Sequence, residues 1–161
     1  MTHHTTQQLT AQLAEVLLQH GWMLATAESC TGGLIAAQCT ELAGSSLWFE
    51  RGFVSYSNAA KTELIGVPAA LIAAHGAVSE VVARAMAHGA ARHSRARATV
   101  AVTGIAGPDG GTPEKPVGTV CFAWASKDHP TKTCQLLLSG NRQEIRQKSV
   151  STMLSGLKDF L

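Results

Sequence analysis

The 161-residue chain is 45% hydrophobic and 15% charged, enough apolar content for one domain with a sizeable core and no charged tail. Thirteen basic against eleven acidic side chains leave a net charge of +2, which argues against a nucleic-acid binder, and no apolar run is long enough to span a membrane. Met1–Gln8 lack the apolar core of a secretion signal, and Cys30, Cys39, Cys121 and Cys134 show no C-x-x-C pairing, so a cytoplasmic protein with reduced thiols is expected.

Leu9, Leu13, Val16 and Leu17 form an apolar stripe, predicting a helix over 5–20 closed by Gly21. Trp22–Ala27 reads as a short buried strand, followed by a helix over about 32–42 and a turn at Gly44-Ser45-Ser46. Phe49–Tyr56 alternates as a second strand, then Asn58 caps a short helix running to about Leu64, broken by Gly66-Val67-Pro68. Ser79 caps a helix with a small-residue face (Val82, Ala85, Met86, Gly89, Ala90), shaped for close approach to a sheet. Ala98–Thr103 is a third strand, followed by a glycine-rich loop over 104–116. Val117–Ala125 and Lys132–Leu138 form an antiparallel hairpin, and a last helix spans about Gln143–Phe160.

Helices between the first three strands imply right-handed parallel crossovers, and the hairpin adds an antiparallel strand. The expected fold is a three-layer α/β/α sandwich with a mixed, mostly parallel sheet of about five strands, as a single domain over 1–161. Loops 28–33, 56–61 and 103–116 then meet at the carboxyl ends of the parallel strands, where α/β sheets bind ligands.

Those loops hold the unusual chemistry. In Ala27-Glu28-Ser29-Cys30-Thr31-Gly32-Gly33, either Ser29 or Thr31 is only a helix cap, or a hydroxyl stands beside free N–H donors suited to an anion or an oxyanion. A thiolate at Cys30 is a variant of the same idea. Lys61 falls in the first turn of its helix, the wrong end for a cation, and partial burial there would lower its pKa as a general base requires; a solvated loop lysine is the plain alternative. Tyr56, the chain's single tyrosine, either assists proton transfer or packs at a strand end.

The loop Thr103-Gly104-Ile105-Ala106-Gly107-Pro108-Asp109-Gly110-Gly111 is neither a P-loop nor a dinucleotide fingerprint, though Gly104 and Gly107 can take positive φ beside a ligand. Arg142 and Arg146 either fork onto an anion or form a solvated face. The seven histidines, including terminal His3 and His4 and helical His88 and His93, show no metal-ligand pattern, so no metal is expected. Trp48-Phe49 is either an exposed pair at an oligomer interface or part of the core.

Together, the motifs at 27–33, 55–61, 76–79, 103–111, 115–120 and 140–146 resemble the CinA C-terminal domain family over nearly the whole chain. The resemblance implies a metal-free serine amidase without a cofactor. It would hydrolyse the carboxamide of nicotinamide mononucleotide (NMN) to nicotinic acid mononucleotide and ammonia, with a non-catalytic nucleotide-binding paralogue as the alternative. It implies Ser29 as nucleophile, Lys61 as the base and Tyr56 as an assisting hydroxyl. The Cys30, Thr31 and Gly32 backbone is assigned to the oxyanion, and Thr103, Gly104, Ala106, Gly107 and Arg142 to substrate binding. A homo-oligomer is expected, with no nucleic-acid or membrane partner. Longer family members carry a further N-terminal domain for which these 161 residues leave no room.

Overall fold

Thr5 opens the first helix by a reciprocal cap: its hydroxyl accepts from the Gln8 N–H at 3.2 Å, and the Gln8 side chain accepts from the Thr5 N–H at 2.8 Å. The computed structural model describes residues 4–161, so His3 lies outside the described residues. Helix α1 (Thr6–His20) ends at Gly21, whose left-handed φ of 67° closes it as predicted.

Five strands follow: β1 (Leu24–Glu28), β2 (Phe49–Val54), β3 (Ala98–Gly104), β4 (Thr119–Ser126) and β5 (Lys132–Leu137). They lie in the order β2-β1-β3-β4-β5; β1 is parallel to β2 and β3, while β4 is antiparallel to both β3 and β5. The first strand starts two residues later than its apolar run suggests. Trp22 is drawn to the surface layer, where the Arg97 guanidinium sits 5.2 Å from its ring centroid and His20 packs at 4.9 Å.

The helices divide between two faces. Helices α1, α2 (Leu34–Thr40) and α6 (Arg142–Phe160) cover one; α3 (Asn58–Ile65), α4 (Ala69–His75) and α5 (Glu80–Arg92) cover the other. Strand alternation sorts residues by size. Val100, Val102, Val120, Phe122 and Trp124 face α1 and α6, whereas Ala101, Cys121, Ala123 and Ala125 face α5. Small sheet residues let α5 settle closely, and Thr99 ties the two layers by donating to the Ala87 carbonyl at 2.9 Å.

Three local expectations change. Ser57, not Asn58, caps α3, its hydroxyl accepting from the Ala60 N–H at 3.0 Å. Helix α4 was not foreseen, because seven residues with one buried side chain, Ile72, carry no readable period. Trp48 is 1% exposed and packs in the core with Phe49 tilted against it, so this pair offers no assembly surface.

Gly89 also differs from expectation, since its missing Cβ serves α3 and not the sheet: a Cβ there would land on the Ile65 carbonyl. The obstruction is backbone at the end of the helix carrying Lys61, so it cannot move aside cheaply. Alanine's gain of about 1 kcal/mol in helix propensity is then outweighed by overpacking of roughly 1–3 kcal/mol. Gly89→Ala should therefore lower stability despite being a better helix former, read as a reduced urea midpoint followed by tryptophan fluorescence.

Candidate functional site

The corner at Ser29 is held from both sides. Ser29 N–H donates to the Val102 carbonyl at 3.0 Å, and the Ser55 N–H donates to the Glu28 carbonyl at 2.9 Å, so β1 remains pinned between its neighbours up to Ser29. The chain then turns through Gly32 (φ 59°) and Gly33 (φ 102°), two successive left-handed positions that glycine takes without strain.

Neither Ser29 nor Thr31 caps the helix that follows. Glu28 does so from within the strand: its fully buried carboxylate accepts from the Ile35 N–H at 2.9 Å, the Ala36 N–H at 3.1 Å and the Thr31 hydroxyl at 2.6 Å. A carboxylate is well matched to the unsatisfied donors at a helix start.

Lys61 approaches from α3. Helical side chains lean toward the N-terminus, which carries its amine back to the end of β2. Nζ lies 3.1 Å from Ser29 Oγ and donates to the Tyr56 carbonyl at 2.9 Å; Ser29 Oγ lies 3.3 Å from that same carbonyl. The lysine is 1% exposed and forms no ion pair among the described residues. Burial holds its pKa below the ordinary lysine range, so the neutral amine beside the Ser29 hydroxyl is favoured more than it would be in a solvated lysine. The solvated-lysine alternative is excluded.

The dyad opens on a cavity of ≈ 270 Å³. Of the residues nominated from sequence, Ser29, Cys30, Tyr56, Lys61, Thr103, Gly104, Ala106 and Arg142 line it; Thr31, Gly32 and Gly107 do not. Asn58, Ala77 and Val78 line it unforeseen. Ala77 and Val78 offer nothing a chemical search would catch, although Gly76-Ala77-Val78-Ser79 stands among the motifs. Thr103 brings them in, its hydroxyl donating to the Ala77 carbonyl at 2.9 Å. Larger hollows beside α4 and between α1 and α6 contain neither Ser29 nor Lys61.

Several nominated groups have specific duties. The Gly32 N–H donates to the Ser29 carbonyl at 3.0 Å and is unavailable to a ligand, while those of Cys30 and Thr31 have no protein acceptor among the described residues. Gly104 lacks a positive φ; it is glycine because a Cβ would come within 2.9 Å of Val120. Gly107 does have one, at 80°, and its carbonyl accepts from Arg142 Nη1 at 2.8 Å. The Tyr56 side chain is 59% exposed at the cavity mouth, and its phenol has no protein partner among the described residues. Burial pushes the Cys30 thiol up to about 12, which leaves it protonated at neutral pH and counts against it as the nucleophile. No three His, Cys, Asp or Glu side chains gather into a metal-binding group among the described residues.

The model of the CinA C-terminal domain family matches residues 6–161. The chain belongs to the CinA C-terminal domain family. Nicotinamide-nucleotide amidohydrolase PncC of Enterobacter agglomerans is 47% identical over 162 residues, covering 100% of this chain and 99% of that protein. A CinA-like protein of Mycolicibacterium vanbaalenii is 55% identical over 150 residues, covering 93% of this chain but 35% of that longer protein. Among solved structures, competence/damage inducible protein CihA from Agrobacterium tumefaciens matches with a TM-score of 0.94 at 43% identity, over 99% of both chains. No helix of this CinA domain is long and apolar enough to cross a membrane among the described residues.

The Glu28 cap is the least replaceable contact in the nucleophile corner. Glutamine would turn an NH2 group toward one of the N–H donors that the carboxylate now accepts, leaving buried donors face to face. Glu28→Gln should cost about 2–3 kcal/mol in urea unfolding and speed hydrogen exchange at the Ile35 and Ala36 amides. Unchanged exchange at those two amides would refute the capping role.

Proposed function

We propose that the protein hydrolyses the carboxamide of NMN, releasing ammonia and nicotinic acid mononucleotide, in the cytoplasm. One contact carries the proposal: a buried amine, with no ion-pair partner among the described residues, 3.1 Å from the Ser29 hydroxyl and beside a cavity. The PncC relatives named nicotinamide-nucleotide amidohydrolases, similar over their whole length, supply the substrate class.

In this reaction neutral Lys61 takes the Ser29 proton as Oγ attacks the amide carbon. The carbonyl π electrons move onto oxygen, which the Cys30 and Thr31 N–H groups receive. Lys61, now an ammonium also held by the Tyr56 carbonyl, returns the proton to the amide nitrogen; the C–N bond breaks and ammonia leaves. Water, deprotonated by Lys61, then cleaves the ester, and Ser29 regains its proton. Tyr56 contributes its carbonyl to the amine, and its phenol stands at the mouth to meet substrate. Arg142 spends Nη1 on Gly107 and offers its other nitrogens to the phosphate, with Gly104 and Ala106 forming that wall.

Ser29→Ala should abolish ammonia release from NMN, whereas Cys30→Ala should retain most of it. Nucleotide binding with undiminished turnover in Ser29→Ala would refute the serine route. For the unmutated enzyme, kcat/KM should fall as pH drops through a limb below the ordinary lysine range, because protonation removes the base. A profile flat to low pH would rule out an amine base.

Lys61→Met should remove activity yet stabilise the fold. A depressed lysine pKa means that, between its folded value and the ordinary lysine value of 10.5, the unfolded chain binds a proton the folded one does not. Stability therefore rises with pH across that window, and the full penalty of the buried charge applies below it. Replacing the amine with an apolar side chain should gain about 1–2 kcal/mol at neutral pH, after the lost Tyr56 contact, and progressively less as pH approaches 10.5. Urea unfolding at two pH values reads both the gain and its decline.

A further inference from the structure

Arg146 lies on the face of α6 that carries Arg142, one turn along, yet it does not line the cavity. Its guanidinium is spent on main chain: Nε donates to the Cys30 carbonyl at 3.1 Å and Nη2 to the Thr31 carbonyl at 3.3 Å. These belong to consecutive peptide groups after the nucleophile. In a trans peptide the N–H points opposite to the C=O, so a donor fixed on the Cys30 oxygen directs the Thr31 N–H away from the arginine. The next peptide is fixed twice, by Nη2 on the Thr31 oxygen and by the Gly32 N–H on the Ser29 carbonyl at 3.0 Å. The guanidinium packs directly on this turn, since a Cβ at Gly32 would meet Arg146 Nη2 at 3.5 Å, an ordinary van der Waals contact. A cation on a carbonyl oxygen also polarises its peptide and makes the attached N–H a stronger donor.

We propose that Arg146 is a positioning residue for the oxyanion pocket: it orients and polarises the peptide that presents the Thr31 N–H, and it does not meet the phosphate. The proposal rests on the acyl-transfer reading of Ser29. It assigns different duties to two arginines one turn apart, Arg142 to the substrate-binding wall and Arg146 to the corner behind the nucleophile.

The test uses the whole chain with Arg146→Met and Arg146→Lys, and three measurements. They are kcat with saturating NMN, the Kd for NMN in a Ser29→Ala background, and the affinity for an NMN analogue with an aldehyde in place of the carboxamide. With the aldehyde, Ser29 Oγ bonds to carbon, the C=O π pair moves to oxygen and Lys61 takes the serine proton, so the adduct carries the oxyanion but has no leaving group. Direct loss of an oxyanion donor costs roughly 100- to 1,000-fold in kcat, so a residue acting through that donor should cost about 10- to 100-fold. Arg146→Met should lower kcat and aldehyde affinity together by that factor and leave the NMN Kd within about twofold. Arg146→Lys should fall between, because one ammonium cannot span both carbonyls.

A weakened NMN Kd with kcat unchanged would make Arg146 a substrate ligand and overturn the proposal. Unchanged aldehyde affinity would overturn it too, by showing that the turn holds without the guanidinium. If circular dichroism shows Arg146→Met unfolded, Arg146→Lys and Arg146→Gln decide the same comparison. Absence of any covalent aldehyde adduct in the unmutated protein would instead remove the serine reading, a result distinct from normal adduct formation in the arginine variants.

Discussion

A buried lysine amine with no ion-pair partner among the described residues is the constraint around which this molecule is arranged. Removing Lys61 from solvent disfavours its charge, and a carboxylate partner would restore that charge. The fold accepts the penalty and spends stability elsewhere to hold the amine in place. Ser57 caps the helix at its start, Gly66 closes it with a left-handed φ of 68°, and Ile65 is seated against Gly89 of α5. The amine is thereby presented to Ser29 by a short helix secured at both ends.

That helix can reach the strand ends because the sheet is asymmetric. Bulky Val, Phe and Trp side chains fill the layer under α1 and α6, while alanines and Cys121 under α5 keep the opposite layer thin. Helix α5 sinks toward the sheet, and α3 packs on it through a glycine. A thicker layer here would move α3 outward from β1, and the 3.1 Å approach of Nζ to Oγ would be lost. Packing at positions with no chemistry of their own therefore sets the distance between the Lys61 amine and the Ser29 hydroxyl.

The parts legible in the sequence are those set by local pattern. Stripes, caps and glycine stops marked five of the six α-helices among the described residues; short apolar runs marked β1 and β3, alternation marked β2, and a turn between two runs marked the hairpin of β4 and β5. Lys61 and Ser29 stood out because each sat where its local structure made it unusual: a cation at a helix start, a hydroxyl at a strand end beside glycines. What stayed hidden depends on pairing through space. Glu28 reads as the first residue of the loop after the strand, and only the fold ends β1 on it and shows that its carboxylate faces the N–H groups of residues seven and eight positions on. The Gly32 N–H looked available until the turn closed on Ser29. Ala77 and Val78 enter the cavity wall through a contact with Thr103, 26 residues away, that no spacing rule encodes.

The charged side chains around Ser29 follow one pattern, in which each is answered by backbone and, among the described residues, none by another charge. Glu28 takes N–H groups of α2, Arg146 takes the carbonyls of Cys30 and Thr31, and Lys61 takes the carbonyl of Tyr56. The ion pairs among the described residues, Glu50 with Arg51 and Arg97 with Asp128, lie at the surface away from the cavity. This separation has a chemical consequence. If the Glu28 carboxylate were turned toward Lys61, it would stabilise the ammonium and oppose the effect of burial. Given to a helix start, the carboxylate is satisfied by N–H donors instead, and the same contacts fix the turn that leaves the Cys30 and Thr31 N–H groups without a protein acceptor among the described residues. One interaction therefore both keeps a carboxylate away from the amine and holds the turn beside Ser29.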